Sequence, residues 1–311
     1  MKLWSWLLAV TSARESATVL ALFRIGMGLS TLLTVGTVAA TGLVPVLWVD
    51  VTDGGMRHLQ GTSWLVEALG GPHPQVVYPL VALSLLAAAS MVAGIGGRLA
   101  ALVALIATQA LTDINNHAGG SYDILLANGL WLVVLAGGDQ TLSVTARVRT
   151  GRWWPMVQAW SVPRWLALWQ LVLMYCATGL QKLSAYWVPG GEASALYYIL
   201  QQPEWHRRDM SWIAPWFWTT QVATTVTWLW EVGAPLWLLA VWYAYTPERG
   251  GALRTWFSRL HVRGLFAAIG VMVHLIILVT MEVGPFSILS VSYYVVTASS
   301  AEWERWLRRP A

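Results

Sequence analysis

Long apolar stretches alternate with short polar segments along the 311 residues of the chain. Because the hydrocarbon core of a bilayer is about 30 Å thick, a helix needs about 20 mostly apolar residues to cross it. The pattern predicts eight spans, at 18–43, 76–95, 99–112, 122–137, 165–183, 212–243, 264–283 and 285–300. Three of these are short and need snorkelling side chains or irregular backbone at their ends. We therefore expect an all-α integral membrane protein with about eight transmembrane helices.

The basic residues of the connecting segments predict the orientation. Segments 1–17, 96–98, 138–164, 244–263 and 301–311 contain two, one, four, four and three Lys or Arg residues. The intervening segments 44–75, 113–121, 184–211 and 284 contain one, none, two and none. Since short cytoplasmic loops are enriched in Lys and Arg, both termini are expected in the cytoplasm. This predicts a multi-pass protein of a cell membrane, here a bacterial inner membrane.

We expect one transmembrane domain over residues 1–311, with the lipid bilayer as its partner. Residues 1–17 are predicted to form an interfacial segment, because their short apolar run contains Trp4 and Trp6. Residues 18–300 would form the helical bundle, and residues 301–311 a cytoplasmic tail.

The composition excludes several other classes of protein. Hydrophobic residues make up 57% of the chain and charged residues 11%, against about a quarter charged in a soluble domain. A disordered chain and a nucleic-acid-binding protein are therefore not expected. Cys176 is the only cysteine, which excludes an intrachain disulfide. No His-Glu-x-x-His pattern occurs, and we expect no bound metal.

Charged and polar residues inside a predicted span are candidates for function or for structural pairing, because they are costly in lipid. Arg24 lies in the first predicted span and Glu231 in the sixth, four residues before Pro235. A structural ion pair between Arg24 and Glu231 would satisfy both charges. His274 lies in the seventh predicted span, where a functional role and a hydrogen bond to a carbonyl group are equally open.

Lys182 is the strongest candidate for chemistry. Seventeen of the 19 basic residues are arginine, and the other lysine is Lys2. A lysine near a membrane end can simply snorkel to the interface. Lysine, however, loses its proton more readily than arginine and can act as a base. Tyr175, Thr178 and Lys182 share one helical face, which places the amine along a polar stripe.

A second polar cluster, Asn115, Asn116, His117 and Tyr122, lies between the third and fourth predicted spans. The predicted topology places it on the same side of the membrane as Lys182. Amide and imidazole groups can hold an oxyanion or a hydroxylated ring. A loop rich in turn-forming residues is the alternative.

These segments together resemble the horizontally transferred transmembrane domain family, which includes vitamin K-dependent gamma-carboxylase. The resemblance covers essentially the whole chain and is carried by five short segments. They are Arg24-Ile-Gly, Asn115-Asn-His117 with Tyr122, Gly179-Leu-Gln-Lys182-Leu with Trp187, Glu231 to Pro235, and His274.

The resemblance implies roles for these residues and a cofactor. Lys182 would be the catalytic base toward a reduced quinone similar to vitamin K hydroquinone, and His117 would be the second catalytic residue. The cofactor-binding residues would be Asn115, Asn116, Tyr122, Tyr175, Trp187 and His274.

Three functions follow as expectations. The first is an enzyme that modifies or matures a peptide or small substrate at an outward-facing site. The chain has no counterpart of the large soluble portion of the eukaryotic carboxylase, so a separate soluble accessory protein is expected. The second is a non-catalytic maturation, export or immunity factor for a peptide toxin, since compact bacterial members resemble the protein that matures the sporulation-delaying toxin. The third is a small-molecule transporter.

Overall fold

The computed structural model describes residues 12–59, 61 and 63–307, and these residues form fifteen α-helices. Three helices within this range are long and apolar enough to cross a membrane: Thr18–Ala40, Pro74–Ala93 and Val262–Thr280. Four shorter apolar stretches accompany them, Gly97–Thr112, Ser121–Ala136, Ala234–Tyr245 and Phe286–Thr297. The chain is therefore mostly helical, as predicted, and its long apolar helices indicate a membrane protein.

The described residues form two compact units, one from residues up to 166 together with those from 298 onward, and one from residues 167–297. The first unit contains strands β1 (Arg14–Ser16) and β2 (Gln158–Trp160) and helices α1 (Thr18–Ala40), α2 (Val44–Trp48), α3 (Trp64–Ala68), α4 (Pro74–Ala93), α5 (Gly97–Thr112), α6 (Ser121–Ala136), α7 (Val144–Thr150) and α15 (Ser300–Leu307). Helix α8 (Val162–Gln181) begins in this unit and continues in the second. The second unit also contains α9 (Ala195–Gln201), α10 (Phe217–Val232), α11 (Ala234–Tyr245), α12 (Ala252–Arg259), α13 (Val262–Thr280) and α14 (Phe286–Tyr294).

In the first unit, α1 packs against α4 and α6, and α5 packs against α4 and α6. Gly28 permits the close approach of α1 to α4, because a Cβ atom there would lie 2.9 Å from the side chain of Val92. Such small residues let helices in a membrane approach each other closely. The apolar core between these helices includes Val35, Val81 and Leu111.

Arg24 of α1 is fully buried and donates hydrogen bonds to carbonyl groups around it. Its Nε donates to Gly138 at 3.0 Å and its Nη2 to Leu142 at 2.7 Å, while Nη1 donates to Met91. The structure therefore differs from the predicted Arg24–Glu231 ion pair. The guanidinium instead caps carbonyl groups at the end of α4 and in the segment after α6.

The two ends of the described chain also differ from expectation. Of the predicted interfacial segment 1–17, residues 1–11 lie outside the described residues, and β1 pairs antiparallel with β2. Residues 308–311 of the predicted tail also lie outside them. Helix α15 begins at Ser300, and its Glu304 accepts hydrogen bonds from Ser16 and Thr18. The described part of the tail is thus a helix held against the start of α1.

In the second unit, the predicted span 212–243 is a broken helix. A 3-10 helix at Ser211–Trp216 precedes α10, and α10 and α11 are separated at Gly233. Pro235 explains the break, because it has no N–H to donate to the carbonyl group of Glu231. Similarly, the predicted span 285–300 is α14 followed by a 3-10 helix at Val295–Thr297.

Candidate functional site

Lys182 and Glu231 form an ion pair in the second unit. The ammonium nitrogen lies 2.6 Å from Oε1 and 2.7 Å from Oε2 of Glu231, so it contacts both carboxylate oxygens. Side-chain exposure is 21% for Lys182 and 8% for Glu231. The carboxylate is thus largely removed from solvent, while the lysine side chain is partly exposed. This pair gives Glu231 a partner other than Arg24.

The pair forms because α8 approaches α10 closely at Gly179. A Cβ atom on Gly179 would lie 2.8 Å from Cβ of Glu231 and 2.9 Å from the backbone nitrogen of Val232. Lys182 follows the last residue of α8, and its backbone N–H donates to the carbonyl group of Gly179 at 3.2 Å. Glycine at this position therefore brings the lysine to the carboxylate.

Aromatic residues surround the lysine. Its ammonium lies 4.4 Å from the ring centroid of Trp187, a cation–π distance. The indole Nε1 of Trp228 donates to the carbonyl oxygen of Lys182 at 3.1 Å. The position of Lys182 is therefore fixed at both its backbone and its side chain.

Tyr175, His274 and Tyr294 form a buried hydrogen-bonded cluster in the same unit. The hydroxyl of Tyr175 lies 2.7 Å from Nε2 of His274 and 2.8 Å from the hydroxyl of Tyr294. The three residues are 4%, 2% and 6% exposed. The Nδ1 atom of His274 has no hydrogen-bond partner among the described residues. We refer to these three residues as the tyrosine–histidine cluster.

The cluster is enclosed by tight packing between helices. A Cβ atom on Gly270 would lie 2.6 Å from the ring of Trp230 and would also clash with Tyr294. The ring centroids of Trp230 and Tyr175 are 4.4 Å apart. Trp230 precedes Glu231 in the chain, so the packing of the cluster and the position of the ion pair depend on the same helix.

Sequence analysis identified Tyr175 and His274 but missed Tyr294, and it gave Glu231 another partner. Tyr294 ends α14, where a hydroxyl group in an apolar helix needs a hydrogen-bond partner. This requirement marks Tyr294 in the sequence as a residue that needs a partner, but it does not identify the partner.

The predicted residues Asn115, Asn116, His117 and Tyr122 lie in the first unit, around the start of α6. Asn115 is buried, and it donates to the carbonyl group of Leu47 at 3.1 Å and accepts from the backbone N–H of His117 at 3.1 Å. Asn116 and His117 are exposed, and Tyr122 is half-buried. Asn115 thus holds the loop in place, and Asn116 and His117 are available to a ligand.

Carboxylates also hold a second segment of the first unit, whose described residues are 50–59, 61 and 63–73. Asp50 accepts from the backbone N–H groups of Thr52 and Leu59 at 2.9 and 2.7 Å, and these bonds lower its pKa to about 2. His73 contacts the carboxylate of Asp53, and this hydrogen bond raises the pKa of the histidine. Asp50 therefore keeps its charge at neutral pH, and the contact with Asp53 favours the protonated form of His73.

Among the described residues, no group of three or more His, Cys, Asp or Glu side chains is placed to hold a metal ion. Compared with known proteins, the chain matches no family model, no curated protein and no solved structure.

Proposed function

We propose that the chain is a membrane enzyme in which Lys182 and Glu231 move a proton during a reaction with a reduced quinone, as the family resemblance implies. The observation that carries this proposal is the ion pair, in which the ammonium of a partly exposed lysine contacts both oxygens of a nearly buried carboxylate. We further propose eight spans with both termini in the cytoplasm, and one transmembrane domain. The substrate would be a peptide or a small molecule, taken with the help of a soluble partner.

The ion pair can generate a basic amine without a change in net charge. Transfer of one proton over 2.6 Å breaks an N–H bond of Lys182 and forms an O–H bond on Glu231. Both groups are then neutral. In a site of low polarity, the desolvation cost is smaller for two neutral groups than for two charged groups. The amine of Lys182 can next accept a proton from an acidic hydroxyl group. The resulting ammonium stabilises the negative charge left on that oxygen.

The residues around Lys182 fit a reduced quinone. Trp187 offers an aromatic face next to the amine, and the amine offers a hydrogen bond to a ring hydroxyl. A reduced quinone supplies the acidic hydroxyl group and, on oxidation, free energy for a coupled reaction. His117 is proposed as the second catalytic residue and Asn116 as a cofactor-binding residue because the family resemblance implies these roles. Asn115, Tyr122, Tyr175 and His274 remain proposed cofactor-binding residues on the resemblance alone.

The test is oxygen uptake and epoxide formation by the purified protein with reduced naphthoquinone. We expect turnover by the wild type, and loss of most of it in K182A, E231Q and H117A. R207Q is the matched control, because Arg207 forms an exposed ion pair with Glu282 at 2.9 Å. Each variant is checked for folding by its thermal transition. Full turnover in K182A would contradict the proposal.

A non-catalytic factor for peptide maturation, export or immunity is the second candidate. It is favoured by the closed form of the ion pair, in which both oxygens of Glu231 are bound by one ammonium. In that case K182R would retain function in cells, because arginine can keep the pair. Substitution of Trp187 by alanine, or of Gly190 by a bulky residue, would abolish it. Gly190 has a φ of +91°, which side chains rarely adopt. If K182R folds normally but loses function in cells, this candidate is excluded.

A further inference from the structure

A cavity of about 610 Å³ lies beside α12 in the second unit, and its charged residues are all basic. Its lining includes Arg254, Arg259, His261 and Arg263 and contains no aspartate or glutamate. Three guanidinium groups around one cavity give it a positive potential that attracts an anion. The volume is in the range of small-molecule sites, so the cavity can accept a phosphate with attached groups.

Arg254 and Arg259 differ in their hydrogen bonding and in their exposure to solvent. Arg254 is held by hydrogen bonds from Nη1 to the carbonyl groups of Tyr243 and Thr246, at 3.1 and 2.7 Å, and lies 4.4 Å from the ring of Tyr243. Arg259 is exposed at the end of α12. One rigid and one exposed guanidinium around a cavity suit a phosphate, because guanidinium groups bind its oxygens in pairs.

Helix α12 carries an apolar face next to these charges. Leu253, Trp256 and Leu260 follow helical spacing and are 53%, 54% and 50% exposed, while Phe257 packs inward against Ala240 and Val262. An amphipathic helix with exposed Leu and Trp and flanking Arg is typical of a helix that lies in the membrane interface. An exposed apolar face therefore lies beside the basic side chains of the cavity.

We propose that this cavity is a binding site for an anionic phospholipid. The phosphate lies among Arg254, Arg259 and Arg263, and the acyl chains lie along Leu253 and Trp256. Basic pockets at the cytoplasmic ends of membrane helices bind such headgroups, and segment 244–263 is predicted to be cytoplasmic. The inference uses neither Lys182 nor Glu231 and does not depend on the quinone reaction.

The test is native mass spectrometry of the full chain in mild detergent with added lipid. We expect the protein to retain phosphatidylglycerol and to retain phosphatidylcholine far less. Removal of one guanidinium in R259Q should weaken retention about fivefold, and R259Q/R263Q further, since each basic residue near a phosphate contributes a factor of this size. R149Q is the matched control, because Arg149 is an exposed arginine of α7 outside the cavity, and it should change nothing.

Two further arms distinguish the lipid from a soluble phosphate. L253S should reduce retention of phosphatidylglycerol and leave binding of glycerol 3-phosphate unchanged, because it removes only an acyl-chain contact. Binding of glycerol 3-phosphate as strongly as phosphatidylglycerol would overturn the lipid assignment in favour of a free phosphate. Equal retention of both phospholipids, or full retention of phosphatidylglycerol by R259Q/R263Q, would overturn the site itself. Unchanged thermal transitions in all variants confirm that they are folded.

Discussion

The Lys182–Glu231 pair makes the stability of the second unit depend on two side chains. Glu231 is only 8% exposed, so its charge without Lys182 would be poorly solvated. Removing one member of a buried pair is strongly destabilising, whereas removing both costs much less. The pair is therefore a structural element irrespective of any reaction that it carries out.

We predict that K182M destabilises the protein by about 3 kcal/mol, the lower end of the range for buried pairs because Lys182 is 21% exposed. K182M/E231L should recover more than half of this loss, because no charge is then left buried. The measurement is unfolding of the purified protein in mild detergent by increasing amounts of a denaturing detergent. A loss in the double variant equal to the sum of the losses in K182M and E231L would show that the two side chains do not interact.

The sequence identified the charged residues of the spans but not their partners. Lys182 and Glu231 are 49 positions apart, and Arg24 offered a second cation of the same charge. The choice between them depends on backbone proximity. Arg24 is satisfied by carbonyl groups of Met91, Gly138 and Leu142, which carry no signal in a sequence. The sequence therefore predicts that charged residues inside the spans have partners, but only the structure shows which residues pair.

At the scale of helices, the contact of α8 with α10 depends on one glycine. We predict that G179A destabilises the protein and lowers any activity that depends on Lys182, because the added Cβ would lie 2.8 Å from Cβ of Glu231. Overpacking of this kind typically costs about 1–3 kcal/mol. The measurement is the same unfolding experiment, together with turnover.

Gly36 of α1 provides the control for this prediction. Its nearest neighbour would be a Leu85 methyl group at 3.7 Å, an ordinary contact, so G36A should be neutral or slightly stabilising. If G179A is as well tolerated as G36A, then the close approach of α8 and α10 is not required.

The apolar pattern located the long helices well but not their interruptions. Predicted span 76–95 corresponds to α4 at Pro74–Ala93, and 264–283 to α13 at Val262–Thr280, because apolar length is visible in a sequence. The sequence did not predict the helices of eight or fewer residues, because so short a helix is stabilised by its neighbours rather than by its own pattern. These helices are α2, α3, α7, α9, α12 and α15.

The loop 50–73 contains a titratable contact. The hydrogen bond to Asp53 raises the pKa of His73, and the carboxylate of Asp50 and the carbonyl group of Gly70 act in the same direction. A histidine with a raised pKa in the folded state stabilises that state fully below its unfolded pKa of about 6.5, and the contribution is lost as pH rises through the folded value.

We therefore predict that local opening of residues 51–59 and 63–73 increases as pH rises above about 6.5, the pKa of histidine in the unfolded chain. The measurement is hydrogen exchange corrected for the intrinsic pH dependence of the exchange rate. H73Q should exchange at the faster rate at every pH, because it lacks the charge. A pH-dependent step of equal size in H73Q would assign the effect to another group.

At the scale of the whole molecule, the number of spans depends on whether a broken helix crosses the bilayer. Helix α10 has 16 residues and α11 has 12, which correspond to about 24 and 18 Å. Neither alone spans a core of about 30 Å, whereas the two in succession exceed it. If they cross in succession, the segments before α10 and after α11 lie on opposite sides. If they turn back at Gly233, these segments lie on the same side.

The basic residues favour a single crossing, because segment 244–263 has four Lys or Arg residues and the longer segment 184–211 has two. We predict that a cysteine at position 204 reacts with a membrane-impermeant maleimide in intact cells and that one at position 248 reacts only after permeabilisation. Both positions are exposed glutamates, and C176S removes the one native thiol. R149C provides the control, because segment 138–164 is predicted to be cytoplasmic and should behave as position 248 does. Labelling of positions 204 and 248 under the same condition would show that α10 and α11 turn back and leave the membrane on the side where they entered it. The chain would then cross the bilayer an odd number of times if every other predicted span crosses, and its two termini would lie on opposite sides.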